Sequence, residues 1–384
     1  MKNEIENLFN DKSILFSEDD IQLSITSLEI AFKAYFSTYH CLKGDFYNVC
    51  YYNDNLQNDI FKDIPKEDFL VEINNREYSE QYIKCILHFQ HFAELVCKGF
   101  LYDESKYLIY PCKKEDHLLE KYINGNEDDI KNYVKYDQKK VNRTVSFELA
   151  IKRLVKLIDE NKLKNHEQVK FIKDYESLLE KLVALRNSVW HRGLEIYNYD
   201  TLDTFVGKYI LPFVDNVLKH PKYKTSLHLW KYKDTPYDKD PLILIIKHFK
   251  DEDYDRKKVA LLKELCRATY NIPYWNDKMF WEINYAQSYA KLVEEKASIA
   301  AKGNYFSNSN GELKVLNCPV CNIKSLIIYE YVEPKYEYDE NGMYPVDIEY
   351  SYPVEVKCEC CSFGLYLNDI EDVSKYEIEG INYW

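Results

Sequence analysis

Two short cysteine clusters constrain this chain more than any other feature: Cys318-Pro-Val-Cys321 and Cys358-Glu-Cys-Cys361. A CxxC turn aims two thiolates at one ion while backbone amides satisfy the sulfurs, and two such turns complete the tetrahedral set of a structural zinc site. Cys318, Cys321, Cys358 and Cys361 are the expected ligands, with Cys360 as the spare thiol and a Cys358/Cys360 pairing as the alternative. The flanks SLIIYEYVEP, DIEYSYPVEVKC and GLYLND alternate Tyr, Val, Ile and Glu, which predicts a few antiparallel strands around the turns. Four thiolates close such a site, so the expected Zn2+ is structural and no catalytic metal is expected.

The other six cysteines (41, 50, 85, 97, 112 and 266) are scattered, several in apolar helical stretches, and read as small buried hydrophobes. Eleven cysteines with no basic, apolar leader in MKNEIENLFNDKSILFSEDD argue against a disulfide framework. No stretch reaches the roughly 18 apolar residues of a membrane span, so the expectation is a cytoplasmic chain without a membrane partner. At 384 residues, 46% of them hydrophobic, two or three domains with real cores are expected. Tyr is abundant (36) and Gly scarce (10), so the aromatic content reflects biased composition as much as stacking surfaces.

The net charge of −13 is unevenly spread. From Glu312 onward fifteen acids face five lysines, whereas 139–192 holds thirteen Lys/Arg against seven acids. One region is suited to attract phosphate and the other to repel it, so the acidic cysteine-bearing region is assigned folding stability and partner binding rather than nucleic-acid contact.

Helical periodicity is plain over Asp20 to Leu42, where Ile21, Ile25, Leu28, Phe32, Tyr35, Phe36 and Tyr39 make a broad stripe. Residues 43–77 lose the pattern and read as a long connection. A nearly all-apolar helix is expected from Ser79, taken as its N-cap, to about Leu101. The polar stretch 102–143 reads as an insertion with at most one short helix. Helices resume at Ser146 with SFELAIKRLVKLIDEN and FIKDYESLLEKLVALRNSVWHRG, the latter stopped by Gly193. TLDTFVGKYILPFVDNVLKH follows, with a kink expected at Pro212. After a Pro- and Lys-rich connection come helices near 255–270 and 277–301, ended by Gly303, and the linker GNYFSNSNG marks a boundary.

The segment LRNSVWHRG, residues 185–193, gathers Arg186, Asn187, His191 and Arg192 at a helix end. There the macrodipole favours a positive imidazolium, raising the proton affinity of His191 toward acid-base use. Asn187 and His191, four apart, share a face, and Arg186 must reach across to join them. A solvated helix end, whose Arg and His cap the last carbonyls, is the competing description.

This segment resembles the signature of the HEPN superfamily, whose ribonuclease members carry Arg-x(4 to 6)-His, often with Asn straight after the Arg. HFQHFAELVCKGFL, SFELAIKRLVKLI and YILPFVDNVL resemble the first, next and closing helices of such domains, in order, over about Tyr78 to His220. The resemblance implies a helical bundle that dimerises so that two motifs face each other across a composite cleft and cut RNA without metal. In it Arg186 holds the phosphate, His191 moves the proton and Asn187 orients the pair or donates to the phosphate. Glu94 and Lys98, on one face of the first such helix, are supporting candidates, with a local ion pair as their alternative. His88 and His91 are left out of the site. Some HEPN proteins paired with nucleotidyltransferases have a Tyr two residues after the His; Gly193 stands there, so regulation through that position is not expected.

The expected whole is therefore mainly α: an N-terminal helical region (1–77), a HEPN-like domain (78–222, insertion 102–143), a further helical region (223–303) and a C-terminal region (312–384) resembling a β zinc ribbon. The expected activity is that of a homodimeric endoribonuclease in bacterial toxin or anti-phage defence, with RNA as substrate and an antitoxin or defence-system partner. The alternative is a catalytically inactive HEPN scaffold that binds RNA, nucleotide or a partner protein through its zinc ribbon.

Overall fold

The computed structural model describes residues 20–55, 75–112, 115–125, 130, 144–191, 196–224, 240–272, 283–302, 313–339, 342–366 and 368–370. The chain is mainly helical and carries a small C-terminal antiparallel sheet. Its helices are α1 (Asp20–Leu42), α2 (Phe46–Asn55), α3 (Arg76–Glu104), α4 (Glu115–Asn124), α5 (Phe147–Asp159) and α6 (Glu176–His191). Helix α7 (199–219), α8 (Pro241–Lys250), α9 (Arg256–Tyr270) and α10 (Ile283–Lys302) follow. The strands are β1 (Val315–Asn317), β2 (Lys324–Asp339), β3 (Gly342–Cys358) and β4 (Gly364–Tyr366). Among the described residues no helix is long and apolar enough to cross a membrane.

Two compact units divide these elements. The first comprises Met1–Glu29, His88–Arg186 and Lys219–Lys224; the second comprises Ile30–Leu87, Asn187–Leu218 and Thr225–Trp384. The core of the first unit is built from Phe89, Phe92, Val96 and Phe100 on α3, Ile151, Leu154 and Ile158 on α5, and Leu178, Leu179 and Leu182 on α6. Ser146 caps α5 by accepting from the amide of Leu149, as its position before the apolar run requires. The stretch before α6 is a 3-10 turn, Lys170–Tyr175, rather than a continuation of the helix. Arg153 is wholly buried and donates to the carbonyls of Leu108 and Tyr110, so this cation of the basic span serves the fold. Lys152 and Lys170 are likewise paired, with Glu148 and Glu167.

Three expectations are corrected. The start of α3 is capped by Asn75, whose Oδ1 accepts from the amide of Tyr78 at 2.9 Å; Ser79 instead lies inside the helix and bonds back to the Asn75 carbonyl. The connection expected over 43–77 contains α2, whose buried face is Phe46, Val49 and Cys50, and the Pro-rich connection contains α8, capped by Asp240 with Pro241 at its first turn. Both helices are ten residues long, too short for a long-window pattern to stand out. At Pro212, where a kink is expected, α7 continues as a helix, with a π-helical segment, Phe205–Ile210, directly before the proline's turn. Gly207 in that segment faces the ring of Phe249, and a Cβ there would come within 2.2 Å of it.

In the second unit, α9 is buried at every position from Val259 to Tyr270, including Lys263, Glu264 and Arg267. The sheet has the order β1-β2-β3-β4, all antiparallel. Its β2–β3 ladder shifts register at three places, adjoining Pro353, Pro334 and Pro345, where a missing amide donor interrupts the ladder. Gly193, Gly303, the 303–311 linker and residues 131–143 of the insertion lie outside the described residues.

Candidate functional site

The two cysteine turns have one geometry. In the first, the amide of Asn322 donates to the Cys318 carbonyl (2.9 Å) and that of Cys318 to Ile323 (2.9 Å); in the second, Ser362 donates to Cys358 (3.1 Å) and Cys358 to Phe363 (2.8 Å). Each closes with a non-glycine residue in the left-handed region, Asn322 and Ser362, both at φ 58°. That conformation turns the chain sharply enough to aim both thiols of a pair inward.

Cys318, Cys321, Cys358 and Cys361 meet as a buried cluster whose sulfurs all lie within 4.8 Å of one another. Across the two turns, Cys318 Sγ is 3.6 Å from Cys361 Sγ and Cys321 Sγ is 3.7 Å from Cys358 Sγ. A tetrahedral ion with metal–sulfur bonds of about 2.3 Å sets its sulfurs about 3.8 Å apart, so the spacing fits Zn2+. The amides of Val320, Cys360 and Cys361 point at Sγ of Cys318 or Cys358 from 3.3 to 3.4 Å, and Ser325 Oγ lies 3.2 Å from Cys358 Sγ. These donors match what thiolates bound to a cation need. Cys360 is buried and is not one of the four sulfurs that lie mutually within 4.8 Å.

The second turn is latched to α9. Arg267 donates from Nη2 to the Ser362 carbonyl at 2.6 Å and from Nη1 to Ser362 Oγ at 3.2 Å, while its Nε and Nη2 hold Glu264 at 2.7 Å. Glu264 also accepts from the amide of Gly364 at 2.9 Å. Burial alone would raise the Glu264 carboxyl, but the Arg267 charge and hydrogen bonds outweigh it and hold it below the usual range. Nearby, Lys43 pairs with Glu355 at 2.8 Å, and Asp369 accepts from the amide of Gly44 at 3.0 Å.

Arg186, Asn187 and His191 all lie on α6, with His191 its last residue. Arg186 is half-buried and Asn187 exposed; the His191 side chain, Arg192 and Gly193 are outside the described residues. Five positions on an α-helix separate Arg186 and His191 by about 140° around the axis and about 7.5 Å along it. Glu94 and Lys98 form an i,i+4 ion pair at 2.6 Å on α3, with Gln90 donating to Glu94 at 2.8 Å and Lys98 to Thr144 Oγ1 at 2.8 Å. The local ion pair weighed for them is present. His91 bonds Ser27 across α1 and α3, its Nδ1 2.6 Å from Oγ.

Sequence reasoning did not single out a buried polar centre in the second unit. Lys263 Nζ sits 2.6 Å from Asp203 Oδ1, between the rings of Tyr199 (3.9 Å to the centroid) and Tyr35 (4.6 Å). Arg256 clamps Asp200 through Nε and Nη2 and reaches Asp54 at 3.0 Å. The Lys263–Asp203 pair is sealed by burial and reads as a packing device, while Arg256 links it through Asp200 to the exposed Asp54.

Comparisons with protein-family models, with curated proteins and with solved structures return no match.

Proposed function

We propose that this chain is a metal-independent endoribonuclease of the HEPN type, acting as a homodimer, with a structural zinc held by Cys318, Cys321, Cys358 and Cys361. The observation that carries the reading is the placement of Arg186, Asn187 and His191 in the last turns of one helix, α6, whose other positions Leu178, Leu179, Leu182 and Leu185 are buried. A stripe of core leucines holds that helix rigidly, which is what a precisely placed donor set requires.

The angular separation of Arg186 and His191 supports a composite site, because two facing copies bring the arginine of one beside the histidine of the other. In the reaction, an imidazole of His191 takes the proton from a ribose 2′-hydroxyl. The oxygen attacks the adjacent phosphorus, and the bond to the 5′-oxygen breaks as that oxygen receives a proton from the second imidazole. Arg186 holds the charge that builds on the phosphoryl oxygens, and Asn187 donates to the phosphate. The products are a 2′,3′-cyclic phosphate and a 5′-hydroxyl. Bound zinc supplies folding energy to the β region, closing the turns around four sulfurs. The role in toxin or anti-phage defence rests on the HEPN resemblance alone.

The test is RNA cleavage by wild type, Arg186→Ala and His191→Ala in EDTA, with bound zinc measured before and after. Wild type is expected to cut and leave cyclic phosphate ends, and each variant to lose on the order of 100-fold or more, the scale of general acid-base catalysis. Equal activity in all three removes the assignment, and a solution mass of one chain removes the composite site.

A further inference from the structure

The β2–β3 ribbon carries an exposed tyrosine platform. Tyr331 pairs in register with Tyr352 and Glu333 with Tyr350, so all four share one face. The tyrosines are 47%, 43% and 49% exposed for Tyr331, Tyr352 and Tyr350, and they lie side by side rather than scattered singly. Tyr350 and Tyr352 lie nearly parallel, 16° apart with centroids 6.2 Å from each other, and Tyr331 leans on Tyr352 at 5.4 Å. Glu333, directly across the ladder from Tyr350, places a carboxylate beside the rings.

Two kinds of ligand use stacked aromatics of this type, nucleobases and guanidinium groups. Charge separates them. The segment 324–358 holds eight acids (330, 333, 337, 339, 340, 347, 349 and 355) against Lys324, Lys335 and Lys357. That field repels a phosphate backbone and attracts cations. A guanidinium beside these rings sits within the about 6 Å range of cation–π attraction to more than one of them, and its planar fork can pair with Glu333 at the same time. An ammonium on a lysine can do only the first as a point charge.

We infer that Tyr331, Tyr350, Tyr352 and Glu333 form a docking surface for an arginine-bearing basic segment of a partner protein. The surface needs no ribonuclease chemistry, and the His191→Ala variant is expected to bind such a segment as wild type does.

The experiment titrates the full-length, zinc-loaded protein against three fluorescent probes: a twelve-residue peptide alternating Arg with Gly and Ser, its lysine counterpart, and an oligouridine of ten nucleotides. The arginine peptide is expected to bind several-fold more tightly than the lysine peptide, and oligouridine not to compete for the platform. Tyr350→Ala/Tyr352→Ala, which leaves the charge unchanged, is expected to weaken the arginine peptide about tenfold, and Tyr350→Phe/Tyr352→Phe to retain its affinity. Zinc content and circular dichroism report whether each variant is folded. The inference is overturned if wild type does not bind the arginine peptide, if it binds both peptides equally, or if the alanine variant binds as wild type does. Oligouridine binding that depends on the same tyrosines overturns it in favour of nucleic acid.

Discussion

Lys263 places its ammonium 2.6 Å from Asp203 Oδ1 with both side chains wholly buried. Burial pushes the Asp203 carboxyl up and the Lys263 ammonium down, so each charge depends on the other and on the flanking tyrosine faces. Removing one partner leaves an uncompensated charge, which costs roughly 3–5 kcal/mol, whereas replacing both by apolar groups of similar volume is often neutral. Lys263→Met and Asp203→Leu are each expected to lower the urea midpoint sharply, and the double variant to recover most of the loss. A double variant no more stable than either single one contradicts this account.

One zinc per chain is expected from metal analysis. Cys321→Ser and Cys361→Ser should each lose tight binding, because a three-sulfur set is incomplete, and Cys360→Ser should keep it. Zinc loss in Cys360→Ser equal to that in Cys361→Ser would mean that the spare thiol has been misassigned.

Arg267 ties the second cysteine turn to α9 through the Ser362 carbonyl. Lysine keeps the charge but cannot hold Glu264 and Ser362 together through one planar fork. Arg267→Lys is therefore expected to release zinc to a chromogenic chelator about ten times faster than wild type, a scale set by the loss of a positioning partner. An unchanged release rate would show that the turn holds its shape without the latch.

Burial lowers the proton affinity of His91, with Lys98 adding to the effect and Glu94 opposing it; burial and then Lys222 lower that of His220. A folded pKa below the unfolded value of about 6.5 means that the unfolded chain binds more protons, so stability is full above that pH and falls as pH drops through it. Melting temperature should decline from pH 7.5 to 5.5, and His91→Gln should flatten the decline. A slope unchanged in that variant would separate His91 from the effect.

Much of this architecture is legible in the sequence where a pattern has a single physical reading. The two cysteine turns are such a case as a metal-site pattern, with only the role of Cys360 left open, and the sheet follows from Tyr/Val/Ile alternation around them. Helices α1 and α5 stand out because their apolar residues repeat over many turns. Short helices do not: α2 and α8 offer under three turns each, and the cap of α8, Asp240 before Pro241, looks like ordinary turn chemistry. The buried charges of α9 were hidden for another reason. Lys263, Glu264 and Arg267 interrupt an apolar run in the manner of a solvent-facing stripe, and only tertiary partners distant in sequence, Asp203, Ser362 and Gly364, reveal that they point inward. For Arg186 and His191, sequence and fold agree on a shared helix, and the chemistry is a matter for the cleavage assay.

The two cysteine turns have a consequence for how the chain is made. Cys321 and Cys358 are 37 residues apart, Glu264 waits 100 residues for Gly364, and Lys43 waits 312 for Glu355. On the ribosome, the α1–α2 turn carrying Lys43 and the helix carrying Glu264 and Arg267 emerge with charges shaped for a surface that does not yet exist. A metal ion held by the four sulfurs would fix the second turn, and with it the Ser362 carbonyl and the Gly364 amide that Arg267 and Glu264 bond.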